Sequence, residues 1–276
     1  LEAFSGCTAS PRSAPSIPLE TQWNEDIQLS AANSRLLGQA LYEGDQACLE
    51  WTNTGVELCF RGTGIQVKIG PSVSAEGVNP AIAVMVDGGD PIRMELDEYK
   101  YYTLAENLPY GEHTLRVVKV TEITAYPTLL SSVRLQSPVS CTDAALLAPP
   151  AAPARRILFI GDSITCGYGN LGKPSQAAFL TAEEDGLQTY AAFTAAAFGA
   201  EAHYVSYSGK GIVKNVNGDS TSCLPSLINM ASLTTYLEWD SSVWQPDIVV
   251  INAGTNDAAA GVSKEAFAEG VTAFLD

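Results

Sequence analysis

Histidine is nearly missing from this sequence: 276 residues hold two, His113 and His203. Chemistry that needs a histidine base must find it in one of these or outside the chain. Basic residues are scarce as well. Fifteen Lys and Arg stand against thirty-one Asp and Glu, a formal charge of −16. That balance argues against nucleic-acid phosphates as a partner, which need clustered cations, and against an anionic membrane surface. A neutral partner such as a carbohydrate is compatible with it. No run of about 18 apolar residues occurs, so no apolar helix spans a membrane. The chain has no initiator Met and no hydrophobic signal core; its Ser/Pro-rich start, LEAFSGCTASPRSAPSIP, reads as the trimmed tether of a secreted domain.

Cysteine is also sparse. Six residues with no CxxC pair do not make a disulfide scaffold, and His and Cys never cluster at metal-ligand spacing. We therefore expect neither metal nor cofactor. One stretch, CLEWTNTGVELC, reads as a hairpin with TNTG as its loop. If Trp51 faces Val56, Cys48 lies opposite Cys59, either as a disulfide or as two packed thiols. Cys166 is a packed thiol or the partner of Cys223.

What is present divides the chain in two. The first half carries short β-rich segments separated by Gly, Pro, Asn and Asp: ACLEWT, VELCFRG, IQVKIG, AIAVMVDG, RMELDE, YYTLAE, HTLRVVKVTE and SVRLQS. This pattern predicts an antiparallel sandwich or barrel. His113 sits at a turn entering one of these strands, a structural position. The stretch SPVSCTDAALLAPPAAPARR then favours an extended spacer. We divide the chain into a tail (1–25), an all-β domain (26–140), a linker (141–155) and a second domain (156–276).

The second domain alternates strands and helices. ILFI, AHYVSYS and DIVVIN read as strands. Leu187, Tyr190, Ala191, Thr194 and Phe198 share a helical face that Gly199 ends, and Ser263 caps a last helix with Phe267, Val271, Phe274 and Leu275 on one side. This predicts a parallel sheet covered on both faces. Reactive groups in such sheets gather beyond the carboxyl ends of the strands. Three stretches fall there: GDS after ILFI, SGKG after AHYVSYS, and AGTND after DIVVIN. Ser163 supplies a hydroxyl nucleophile. Gly209 supplies an unobstructed backbone N–H, with Gly211 as its rival, and Asn256 supplies an amide. With the Ser163 N–H they could hold an oxyanion, each donor contributing about 2.7–4 kcal/mol. Asp162 and Asp257 order their loops.

GDSIT, SGKG and GTND together resemble the first three blocks of the SGNH (GDSL-type) hydrolases. FIGDSITCGYGN, YSGKGIVKN and SVWQPDIVVINAGTND resemble carbohydrate esterase family 2, as do VELCFRGTGIQVKIG, VMVDGGDP and LPYGEHTLRVVKVTE in the first half. The resemblance covers about residues 30 to 276. It implies an N-terminal jelly-roll sandwich followed by a three-layer α/β/α SGNH hydrolase domain. It also implies Ser163 as nucleophile, Gly209 and Asn256 as oxyanion donors, and secreted enzymes that remove acetyl groups from plant polysaccharides such as xylan and glucomannan. A lipid esterase or thioesterase of the same fold and a non-catalytic carbohydrate binder with a degenerate hydrolase domain are the alternatives. Trp239, Trp244, Tyr168 and Tyr207 are aromatics that could stack on sugar rings or pack the core.

The resemblance also defines what is missing. These hydrolases end in a DxxH block that supplies the base, and no DxxH occurs here. His203 lies at a strand start, on the far edge of the sheet from the reactive rim. Only three strands can be read after Arg156. We therefore expect the hydrolase domain to be cut short at its C-terminus, its base to lie beyond residue 276, and these residues alone to turn over weakly or not at all.

Overall fold

A computed structural model describes residues 20–75, 78–173 and 180–276; the expected tail therefore lies almost entirely outside the described residues. The strands of the first half are β1 (Thr21–Trp23), β2 (Ile27–Gln28), β3 (Arg35–Leu37), β4 (Leu41–Glu43), β5 (Gln46–Leu49), β6 (Gly55–Gly62), β7 (Gly64–Pro71), β8 (Ala81–Val86), β9 (Ile92–Glu95), β10 (Lys100–Ala105), β11 (Gly111–Lys119), β12 (Thr128–Pro138) and β13 (Ala145–Leu147). They form two antiparallel sheets. One runs β10-β7-β12-β5-β4 with β1 and β2 also on β12; the other runs β13-β6-β11-β8-β9 with β3 on β6. Alternate residues of the long strands meet between the sheets: Val56, Leu58 and Phe60 of β6 pack with Ile65, Val67 and Ile69 of β7 and with Leu115 and Val117 of β11. Period-two burial of this kind makes a sandwich core.

Two boundaries differ from the sequence reading. Residues 21–23, assigned to the tail, pair with β12, and residues 145–147, assigned to the linker, pair with β6. The CLEWTNTGVELC stretch is not a hairpin. β5 belongs to one sheet and β6 to the other, so TNTG carries the chain across the sandwich. Asn53 takes φ +60° in this crossing, a left-handed conformation that Asn tolerates. Cys48 and Cys59 thus lie in different sheets as free thiols, and Cys166 and Cys223 are free as well.

The second half continues with β14 (Arg156–Gly161), α1 (Ser163–Cys166), α2 (Tyr190–Phe198), β15 (Glu201–Ser206), α3 (Leu224–Leu227), β16 (Met230–Ser232), β17 (Leu237–Glu238), β18 (Ile248–Asn252), α4 (Thr255–Ala259) and α5 (Lys264–Leu275). β14 is central in a parallel sheet of order β15-β14-β18. Its odd residues Ile157 and Phe159 pack under Ala191 and Ala195 of α2, and its even residues Leu158 and Ile160 pack with Leu224 and Leu227 of α3 and Phe274 of α5. Helices therefore cover both faces, as the alternation of elements predicts.

The helix signals hold at the caps and fail in part on the faces. Gly199 closes α2 in the left-handed region at φ +55°, and Ser263 accepts the Ala266 N–H. Phe198 and Leu275, placed on the packed faces, are exposed; the small residues Ala191, Ala192 and Ala195 make the α2 contact instead. No helix among the described residues is long and apolar enough to cross a membrane.

The two halves share a buried seam. Trp51, at the end of the β5 crossing, is fully buried among Ile160, Val205, Leu224 and Leu227 of the second half, and its indole N–H donates to the Met230 carbonyl at 2.8 Å. The Glu50 carboxylate accepts from the Leu233 N–H at 2.6 Å and from the Ser232 and Thr234 hydroxyls.

Candidate active site

The parallel ladder aligns Gly161 with Ser206 on one side and with Asn252 on the other. The three loops that follow these residues therefore leave the sheet side by side. Hydrogen bonds tie them together. The Tyr207 N–H donates to the Gly161 carbonyl at 3.2 Å, the Asn256 amide donates to the Lys210 carbonyl at 2.8 Å, and it reaches the Asp162 carboxylate at 3.3 Å. GDS, SGKG and GTND thus meet at one rim.

Ser163 opens α1 behind Asp162, whose carboxylate caps the helix by accepting the Ile164 N–H at 3.0 Å. Burial raises the Asp162 pKa, opposed by that backbone bond. Ser163 is half-buried at the rim, and its own N–H is one of the helix-start donors that no intrahelical carbonyl can satisfy. Gly161 admits no side chain: a Cβ there would lie 2.1 Å from the Thr165 hydroxyl oxygen.

Gly209 and Gly211 are distinguished by their hydrogen bonds. The Gly211 N–H is spent on the Asn215 side-chain oxygen at 3.3 Å. The Gly209 N–H meets no acceptor among the described residues; its carbonyl accepts from Val216, and its φ of +79° favours glycine. Asp257 holds this loop from below. Its two oxygens collect the N–H groups of Ile212 at 2.9 Å, Val213 at 2.7 Å and Lys214 at 2.9 Å. The loop-ordering role expected for Asp162 and Asp257 is thus what their contacts display.

Neither histidine lies at this rim. His113 bonds Asp87 at 2.7 Å and the Pro109 carbonyl at 2.8 Å within the sandwich. His203 is buried in β15, stacked on Trp244 at 3.6 Å between ring centres and met edge-on by Trp239. Burial, with the Arg156 charge nearby, pulls its pKa down to about 3. Trp244 and Trp239 are therefore packing residues around His203. Tyr168 and Tyr207 do border the rim: the Tyr168 N–H donates to the Ser163 carbonyl, and the Tyr207 ring lies 5.1 Å from the Lys210 ammonium.

Sequence spacing missed one cluster behind the rim. Glu122, Cys166 and Glu184 are fully buried, with ligand-capable atoms within 4.8 Å of one another. Burial holds the Cys166 thiol well above its ordinary range, and its S–H donates to Glu122 at 3.7 Å. Burial, and then the Glu122 charge, push Glu184 up to about 8. These residues stand far apart in sequence, so no local pattern announces them.

The comparisons with known proteins agree with this architecture. Residues 40–150 match the Carbohydrate esterase 2 N-terminal family, and residues 159–276 match the GDSL-like Lipase/Acylhydrolase family. The chain is 33% identical over 209 residues to the cellulase/esterase CelE of Acetivibrio thermocellus, covering 75% of this chain and 24% of that protein. It is 26% identical over 247 residues to an acetylxylan esterase / glucomannan deacetylase of Cellvibrio japonicus, covering 87% of this chain and 65% of that protein. The chain thus spans less than two thirds of these curated relatives. Among solved structures, a family 2 enzyme with a carbohydrate-binding domain from Corynascus thermopiles (Myceliophthora fergusii) superposes with a TM-score of 0.70 at 30% identity, over 88% of this chain and 72% of that one. Fold and rim define an SGNH-type hydrolase domain behind a β-sandwich. The chain belongs to carbohydrate esterase family 2.

Proposed function

We propose that the protein is a secreted serine esterase that removes O-acetyl groups from plant cell-wall polysaccharides, xylan and glucomannan among them. The observation that carries this reading is the meeting of the Ser163 hydroxyl, the uncommitted Gly209 N–H and the Asn256 amide at one rim. The substrate class is supported by the names of the relatives, one of which is an acetylxylan esterase / glucomannan deacetylase.

In this proposal the Ser163 oxygen attacks the acetyl carbonyl, and the N–H groups of Ser163 and Gly209 receive the developing oxyanion. The Asn256 amide joins them by exchanging its long 3.3 Å contact to Asp162 for the substrate oxygen while keeping Lys210. The sugar hydroxyl departs, and water then releases acetate from Ser163. The proton acceptor is neither His113 nor His203, since both are committed elsewhere.

The test is acetate release from acetylated xylan and glucomannan by the full-length gene product and by Ser163→Ala, with intact mass measured on the same samples. Release that falls by at least about 10³-fold in Ser163→Ala supports the reading. Full-length protein with no Ser163-dependent release overturns it. Binding of the same glycans unchanged by Ser163→Ala would then favour the non-catalytic binder, a reading that rests on the absence of a histidine near Ser163. A nitrophenyl-ester series that peaks at long acyl chains would favour the lipid esterase.

A further inference from the structure

A backbone oxyanion donor works only if its peptide is held at a fixed angle. The Gly209 N–H belongs to the Ser208–Gly209 peptide, which is anchored on both sides: the Gly209 carbonyl accepts the Val216 N–H at 2.9 Å, and on the other side the anchor is the Ser208 N–H. Its acceptor lies outside the hydrolase domain: Oε2 of Glu122, at 2.8 Å. Glu122 follows β11 of the sandwich and is fully buried. The same oxygen accepts the Cys166 S–H at 3.7 Å, and Cys166 closes the short helix that Ser163 opens. One carboxylate oxygen therefore touches both segments that present backbone donors at the rim.

Glu122 is itself held from several sides. The Lys119 ammonium, fully buried, donates to the carbonyls of Glu122 at 2.7 Å, Thr121 at 2.5 Å and Glu50 at 3.2 Å. The Glu122 N–H donates to Glu184 at 3.1 Å. Glu184 retains a proton at neutral pH, because burial and the neighbouring Glu122 push it up to about 8. Thr52 and Ser206 hydroxyls line the thiol side of the cluster.

We propose that Glu122 is a positioning residue contributed by the sandwich: it sets the Ser208–Gly209 peptide against α1, so that the Gly209 and Ser163 N–H groups aim at one point. The proposal rests on the esterase reading given above, and it assigns the sandwich a part in the hydrolase site besides any contact with glycan.

The experiment compares wild type, Glu122→Gln and Glu122→Ala in the full-length gene product, with Ser163→Ala as the blank. Two readouts are taken: kcat and KM for an acetyl ester, and hydrogen exchange of the 207–211 segment. Glu122→Ala is expected to lower kcat about 100-fold with KM within about twofold, since the aimed donors act on the transition state. Glu122→Gln, which keeps the size and one acceptor oxygen, is expected to lose about tenfold. The Ser208 amide should exchange at least about tenfold faster in Glu122→Ala. A folded Glu122→Ala with wild-type kcat, or with unchanged exchange at Ser208, overturns the proposal. If Glu122→Ala does not fold, full kcat in Glu122→Gln overturns it. If wild type releases no more acetate than Ser163→Ala, the esterase reading fails, and exchange alone decides whether Glu122 holds the loop.

Discussion

A carboxylate that collects three backbone N–H groups does the work of a short piece of secondary structure. Asp257 does this for residues 212–214, just past the Gly209 turn. Replacing it with Asn leaves one acceptor oxygen for three donors and faces an NH₂ toward an N–H. We expect Asp257→Asn to cost about 2–3 kcal/mol in denaturant unfolding, with the damage localised to the second-block loop by hydrogen exchange. Two other buried groups set the pH response. His203 has its folded pKa at about 3, below its ordinary 6.5, so it is neutral when folded while the unfolded chain binds a proton. Stability from this source is complete above pH 6.5 and is lost as pH falls toward 3. Glu184 is raised from 4.5 to about 8, so the folded state holds the extra proton and stability falls as pH rises between these values. The two effects oppose each other below pH 6.5, and between 6.5 and 8 Glu184 acts alone of the two. Thermal melts should therefore show Tm falling from pH 6.5 to 8 in wild type and falling less steeply in Glu184→Gln, where His113, its pKa raised against burial by its bonds to Asp87 and the Pro109 carbonyl, still loses its proton. The position of Ser163, Gly209 and Asn256 at one rim is legible in the sequence because each follows an apolar run whose end has a fixed place in a parallel sheet. Glu122 could not, because its partner Ser208 is 86 positions away. It reads as the polar end of one more strand.

Elements differ in legibility for a physical reason. β6, β7, β11 and β12 have 8, 8, 9 and 11 residues and show several periods of alternation. β1 to β4 and β13 have 2 or 3 residues each and carry no period to read. The TNTG turn misleads because turn chemistry reports a reversal and not the sheet that receives the next strand. Trp51 shows the consequence. Taken as a hairpin residue, it would pack within the sandwich; in the crossing it leaves the sandwich and fills the second domain's core. Trp51→Ala should cost about 3–5 kcal/mol and should loosen the 224–233 segment in hydrogen exchange more than it loosens β6 or β7. Equal loosening of both sandwich sheets would contradict this placement.

At the scale of the molecule, the compositional boundary and the energetic one do not coincide. The Ala/Pro-rich stretch before Arg156 marks where one chain segment gives way to another, yet Glu50, Trp51 and Glu122 make their bonds past it. Residues 156–276 expressed alone should fail to fold cooperatively, with Ile160, Val205 and Leu224 exposed to water where Trp51 had covered them. A sharp two-state melt of that piece would show the seam to be dispensable. In β18 the half-exposed Ile248 and Val249 form the outer strand of the parallel sheet among the described residues, so such a piece would also offer an apolar edge for self-association.

The seam also limits how genes of this kind can recombine. A crossover in the linker is the cut that composition invites, and it would join a foreign sandwich to a hydrolase whose Ser208 N–H expects a carboxylate at one position. Chimeras between relatives should survive when the segments carrying Glu50–Trp51 and Lys119–Glu122 travel with the 184, 208 and 232–234 loops, wherever the crossover falls. The inherited unit is then set by two buried carboxylates, Glu50 and Glu122, and their donors, and the two domains pass on as a single module.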